Sequence, residues 1–195
     1  KLAEEGQNPD YFFIACSDSR YDPNMFPGLD KGDAFIAEHI AALVPPYDAP
    51  ESTSVAAAVD YAVMVLKVKY IIVMGHTHCG GVEGIVNDDA PGAAGKWLNL
   101  AKNDVIKNIP SEKTHREQCD AAEKNSIAWS YKNLAQYPAV KKSLESGELR
   151  IIGWRYNIKN GAVEAWNPRT EAFEDFFNPA ELAQKKTLKA LGRRK

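Results

Sequence analysis

Residues 70–81, Tyr70-Ile-Ile-Val-Met-Gly-His-Thr-His-Cys-Gly-Gly81, decide how the chain is read. Five apolar, strand-forming residues run into a glycine-flanked loop, and a segment suited to a helix starts at Val82. A second run of this kind, Tyr11-Phe-Phe-Ile-Ala15, leads into Cys16-Ser-Asp-Ser-Arg20. Strands without polar alternation are buried on both faces, as in parallel sheets. Ala34-Phe-Ile-Ala37, after the Lys31-Gly-Asp33 turn, reads as a further strand. Val55 to Leu66, with Ser52 or Thr53 available as a cap, reads as a largely buried helix. Strand, helix, strand, helix in this order predicts an α/β fold with parallel crossovers.

Towards the C-terminus, Trp97 to Lys107, Glu117 to Leu134 and Pro138 to Ser146 read as helices, the last stopped by Gly147. Two strand-like runs, Leu149 to Tyr156 and Ala162 to Trp166, flank Asn160-Gly161, a hairpin signal. The expected fold is therefore a central, mostly parallel sheet with flanking helices and an antiparallel edge hairpin near the C-terminus. The chain has 195 residues, 45% of them hydrophobic and 26% charged, which suits one globular domain over residues 1–195. No apolar stretch reaches the ~20 residues of a membrane span.

The net charge of −2 offers no general field for nucleic acid, and neither nucleic acid nor membrane is expected as a partner. Lys185, Lys186, Lys189, Arg193, Arg194 and Lys195 read as a solvated tail. Three cysteines cannot all pair, which suits the cytoplasm or another reducing compartment. The chain opens at Lys1 rather than Met, so the expectation is a truncated or processed form in which no targeting segment is visible.

Both loops follow strands of a parallel sheet and emerge at its carboxyl edge, where open α/β sheets bind ligands. Cys16 and Cys79 with His76 form a sulfur and nitrogen donor set suited to zinc, and three protein ligands leave the open position of a catalytic site. The alternation Cys16, Asp18, Arg20 places three functional groups on one side of an extended segment. Cys119 reads as a packing residue without ligand-like neighbours, His115 as solvent-facing, and His78 as pointing away from the site.

The pairing of Cys-Ser-Asp-Ser-Arg at 16–20 with Gly-His-x-x-Cys-Gly-Gly at 75–81 resembles the β-class carbonic anhydrases. The resemblance extends from about Gly6 to Phe176 and includes Leu43-Val-Pro-Pro-Tyr47, Leu66-Lys-Val68, Asn133-Leu with Tyr137-Pro, and Gly153-Trp154. It implies a zinc enzyme, with one Zn²⁺ per chain, that interconverts CO₂ and bicarbonate and works as a homodimer or a multiple of dimers. An N-terminal helical arm of the family would then be missing here. Carried over by position, the metal ligands are Cys16, His76 and Cys79, and the catalytic Asp-Arg dyad is Asp18 and Arg20. The substrate pocket at the dimer interface falls on Gln7, Phe35, Ile40 and Tyr61, beside the Gly80 amide. Two other readings are a CS₂ or COS hydrolase of the same fold and a catalytically silent zinc-binding homologue. One departure is plain: Glu38-His39 stands where the family carries Arg-Asn, so subunit contacts rather than zinc binding are expected to differ.

Overall fold

The computed structural model describes residues 2–25 and 28–179; the basic cluster from Lys185 to Lys195 lies outside the described residues. A six-stranded sheet forms the centre, in the order β2-β1-β3-β4-β5-β6. Its strands are β1 (Tyr11–Cys16), β2 (Ala34–His39), β3 (Tyr70–His76), β4 (Arg150–Tyr156), β5 (Val163–Asn167) and β6 (Ala172–Phe177). The first four run parallel, and β4, β5 and β6 pair antiparallel. The expected α/β sheet with an antiparallel edge is therefore present.

The edge has one strand more than expected. Phe173 and Phe177 of β6 contribute apolar groups amid Glu174 and Asp175, a pattern too acidic to announce a strand. Asn160-Gly161 lies inside the Asn157 to Ala162 loop, closed by Asn157 N–H to the Ala162 carbonyl at 2.8 Å, with Gly161 at φ +73°.

Alternation sorts the core. Phe12, Ile14, Ile71 and Val73 face a cluster that includes Val55, Val59, Ile127, Leu134 and Val140. Their neighbours Phe13, Ile72 and Met74 point oppositely, towards Trp154 and Val163. Helices α1 (Leu2–Glu5), α2 (Thr53–Asp60), α3 (Gly80–Asn87), α4 (Gly92–Asn99), α5 (Lys102–Val105), α6 (His115–Leu134) and α7 (Pro138–Glu145) accompany the sheet. The α6 helix crosses β3 and β4 so closely that a Cβ on Gly75 would lie 2.7 Å from Ile127. A Cβ on Gly153 would lie 3.1 Å from the same side chain. No helix among the described residues is long and apolar enough to cross a membrane.

Three helix expectations are corrected. Residues 97–107 do not form one helix: i→i+3 bonds at Leu100 and Ala101 (3.2 and 3.1 Å) tighten the chain between α4 and α5. The α6 helix starts two residues early, because Thr114 and Glu117 form a capping box. The α2 segment continues through a π turn, Tyr61–Val65, and is not largely buried. Tyr61, Met64 and Val65 are 46%, 63% and 58% exposed, while Val55, Val59, Ala62 and Val63 carry the packing. An apolar composition does not say whether a helix face meets its own core. Nor does Ser52 cap this helix; its hydroxyl donates to the Tyr47 and Ala49 carbonyls.

Charge also fastens α6 to the sheet. Glu123, 1% exposed, accepts from Arg155 Nε at 3.1 Å and Nη2 at 2.6 Å, and from Arg116. Arg155 on β4 also donates to Asp120, and to Glu164 on β5 at 2.7 Å, which pairs with Lys124. Glu123→Ala is expected to destabilise the fold by about 3–5 kcal/mol, since it removes a buried counter-charge and the partner of Arg155 Nε. Urea denaturation checks this; a loss below about 1 kcal/mol would show that the remaining carboxylates suffice.

Candidate metal centre

In the β1–β3 register Ala15 pairs with Met74, so the loops after both strands leave the sheet at one edge. Cys16, 60 positions before His76 in sequence but adjacent to it and Cys79 in space, is buried like both of them. Their donor atoms lie within 4.8 Å of one another. The sulfurs are 3.9 Å apart, and all three cysteines of the chain are free thiols. His76 Nδ1 meets the Thr77 carbonyl at 2.9 Å, so the ring donates there and leaves the Nε2 lone pair to the cluster. That Nε2 is buried without a hydrogen-bond partner.

This arrangement fits a zinc ion. Two sulfurs at ~2.3 Å from a tetrahedral zinc would stand about 3.8 Å apart. The orphaned imidazole nitrogen is the polar atom such an ion would satisfy. As free thiols the two cysteines share a proton: the Cys79 hydrogen bond draws Cys16 well below the usual thiol range, and the same contact with burial pushes Cys79 up. A site that already favours one thiolate is prepared for a cation.

Asp18 and Arg20 sit beside the cluster. Arg20 grips both carboxylate oxygens, Nε to Oδ1 at 2.8 Å and Nη2 to Oδ2 at 2.6 Å, while its backbone N–H donates to Oδ1 at 3.0 Å. The guanidinium holds the Asp18 carboxyl down at about 2. Oδ2 lies 3.7 Å from His76 Nε2, so the carboxylate borders the donor set; Arg20 takes three of its four acceptor positions and leaves one on Oδ2 open.

Several supporting groups escaped the sequence reading. Tyr21 accepts the Cys16 N–H at 2.7 Å, donates to the Met74 carbonyl at 2.9 Å, and lays its ring 4.9 Å from that of His76. Ala41 and Ala42 take positive φ, 60° and 52°, and the Ala41 N–H reaches the Cys16 sulfur at 3.3 Å. Such backbone is strained for alanine, and here it aims a donor at a metal-ligand candidate. His78 faces outward as expected, yet its carbonyl accepts from Arg20 Nη2 at 2.7 Å. None of these has a local motif; Tyr21, one residue past Arg20, was the nearest clue.

The remaining predicted residues are partly gathered. Phe35 and Tyr61 bring their rings to 5.9 Å. Ile40 packs where a Cβ on Gly81 would come within 2.8 Å, and it lines with Gly80 a cleft of about 360 Å³. Gln7 is exposed and makes no hydrogen bond among the described residues, so a single chain does not bring it to the cluster. Glu38 is exposed, whereas His39 turns inward, donates to the Leu43 carbonyl at 2.6 Å and meets Trp97 edge-on. The Leu43 to Tyr47 segment is moored to α6 and its continuation: Val44 N–H to Ser130, Asn133 to the Val44 carbonyl, Tyr137 to the Pro45 carbonyl, at 3.0, 2.9 and 2.8 Å.

Fold and donor set together define an α/β protein whose parallel sheet carries a Cys-His-Cys cluster at its carboxyl edge. The family model described as carbonic anhydrase matches residues 11–163. A curated relative, beta carbonic anhydrase 3 of Arabidopsis thaliana, is 34% identical over 171 residues, 83% of this chain and 66% of the relative. Among solved structures, the β-carbonic anhydrase CcaA superposes with a TM-score of 0.83 at 32% identity, covering 90% of this chain and 87% of that one. One of two tetrameric β-carbonic anhydrases from Sordaria macrospora gives a TM-score of 0.73 at 28% identity, covering 83% and 82%. The chain belongs to the β-carbonic anhydrase family.

Proposed function

We propose that this protein catalyses the reversible hydration of CO₂ to bicarbonate and a proton, with one zinc ion held by Cys16, His76 and Cys79. The observation that carries the reading is the buried, unpartnered His76 Nε2 among two free thiols, with the Asp18–Arg20 pair at its border. When bound, zinc lowers the pKa of water and so supplies the nucleophile for attack on CO₂. Asp18, locked by Arg20 and ionised at any working pH, accepts a hydrogen bond from the attacking water and aims its lone pair at the carbon. Phe35, Ile40 and Tyr61 form apolar walls for a small linear substrate, and the Gly80 amide steadies a substrate oxygen.

Gln7 joins this pocket from a second chain, which makes the working unit a homodimer or a multiple of dimers. The exposed Tyr61, Met64 and Val65 and the tetrameric Sordaria macrospora relative support that assembly. Glu38-His39 then alters contacts between subunits through the exposed Glu38, because His39, although the register partner of Cys16, is spent within the chain on Leu43 and Trp97.

Stopped-flow CO₂ hydration, with zinc content and solution mass measured on the same sample, tests the proposal. The expected result is a rate proportional to zinc occupancy in a dimer or larger assembly. Zinc-loaded protein with no hydration above the buffer rate would overturn it, and turnover of CS₂ or COS by that sample would point to the related hydrolase chemistry.

A further inference from the structure

The capping box of Thr114 and Glu117 makes His115 the first residue of α6, and Cys119 follows one turn later on the same face. Glu83 reaches this face from α3. His115 Nε2 lies 3.1 Å from Glu83 Oε1 and 3.7 Å from Cys119 Sγ, and the three donor atoms lie within 4.8 Å of one another. A tetrahedral zinc with bonds near 2.1 Å to nitrogen or oxygen and 2.3 Å to sulfur would separate these donors by about 3.4 and about 3.6 Å. The same geometry accounts for the 3.9 Å between Cys16 and Cys79.

Charge agrees as well. One thiolate, one carboxylate and one neutral imidazole carry the same formal charge as the Cys16, Cys79 and His76 set. As a bare ion pair, His115 and Glu83 are worth little, since both side chains are about half exposed. The thiol below them, 2% exposed, adds a soft donor to the pair and turns an ordinary surface contact into a three-donor cluster.

We propose that Glu83, His115 and Cys119 form a second metal site, for a divalent ion of the zinc class. The ion would tie the first turn of α3 to that of α6. It would do so one helical turn from the first cluster, since Glu83 N–H donates to the Cys79 carbonyl at 2.9 Å. Two anionic donors with an imidazole select a borderline cation over Mg²⁺ or Ca²⁺, which require oxygen ligands. The proposal is independent of the reaction assigned to the first cluster.

Equilibrium dialysis of the zinc-loaded protein against added Zn²⁺, in chelator-free buffer with excess Mg²⁺, tests it. Wild type is expected to take a second equivalent per chain. His115→Ala and Cys119→Ala should keep the first equivalent and bind the second at least about tenfold more weakly, as loss of one of three ligands requires. His115 is exposed, so its variant remains informative should Cys119→Ala fail to fold. A wild type that stops at one equivalent, or a second equivalent unchanged in His115→Ala, would overturn the proposal.

Discussion

Cys16→Ser and Cys79→Ser are each expected to lose the tightly held zinc together with all measurable CO₂ hydration. A serine hydroxyl stays protonated where a thiolate forms readily, so the change removes both a soft donor and one of the two negative charges that balance the dication. At Cys16 it also weakens the acceptor of the Ala41 N–H, held there by strained backbone. Both cysteines lie in a buried cluster, but serine is close in size, so circular dichroism should remain that of the parent. Zinc retained after desalting against a weak chelator is the primary readout. The expected loss in rate is about 1,000-fold or more, down to the buffer background, because removing the metal removes its nucleophile. Full zinc retention in either variant would remove that cysteine from the ligand set.

Asp18→Asn is expected to do something different: zinc stays and turnover falls by about 100- to 1,000-fold, the cost of losing one preorganised electrostatic contact in an active site. Asparagine keeps one carbonyl oxygen but turns the other position into an N–H₂ group, which cannot accept from Arg20 and points a like-signed dipole at it. The residue would then no longer hold an ionised oxygen 3.7 Å from His76 Nε2. The loss belongs in kcat rather than KM, since the apolar walls are untouched. Arg20→Lys should fall in the same direction, because a point charge does not reproduce the fork that grips both oxygens and the His78 carbonyl. Were zinc and rate lost in parallel on Asp18→Asn, Asp18 would be a ligand or a structural residue instead.

Much of the first cluster was legible because its information is local. A wholly apolar run must be buried on both faces, and a parallel register brings the ends of such runs to one edge. Cys16 ends β1 with Asp18 and Arg20 just beyond it, and His76 and Cys79 close β3 and its loop, so their meeting needed nothing beyond the order of elements. The second cluster was not legible. With the helix expected from Glu117, His115 stood outside it and Cys119 had no ligand-like neighbour, and Glu83 comes from another helix with no shared motif.

By itself, then, the sequence determined the alternation of strands and helices, the parallel sheet and the donors at its edge, since these depend on short-range polarity and on residue type. Tertiary structure alone decided which face of α2 stays exposed, how Glu123 and Arg155 neutralise each other inside the fold, and that Ala41 and Tyr21 serve the Cys16 backbone and sulfur. Those outcomes depend on contacts between residues 5 to 32 or more positions apart. Burial and charge compensation arise when whole elements pack, and no local pattern of residues encodes the partner that packing will supply.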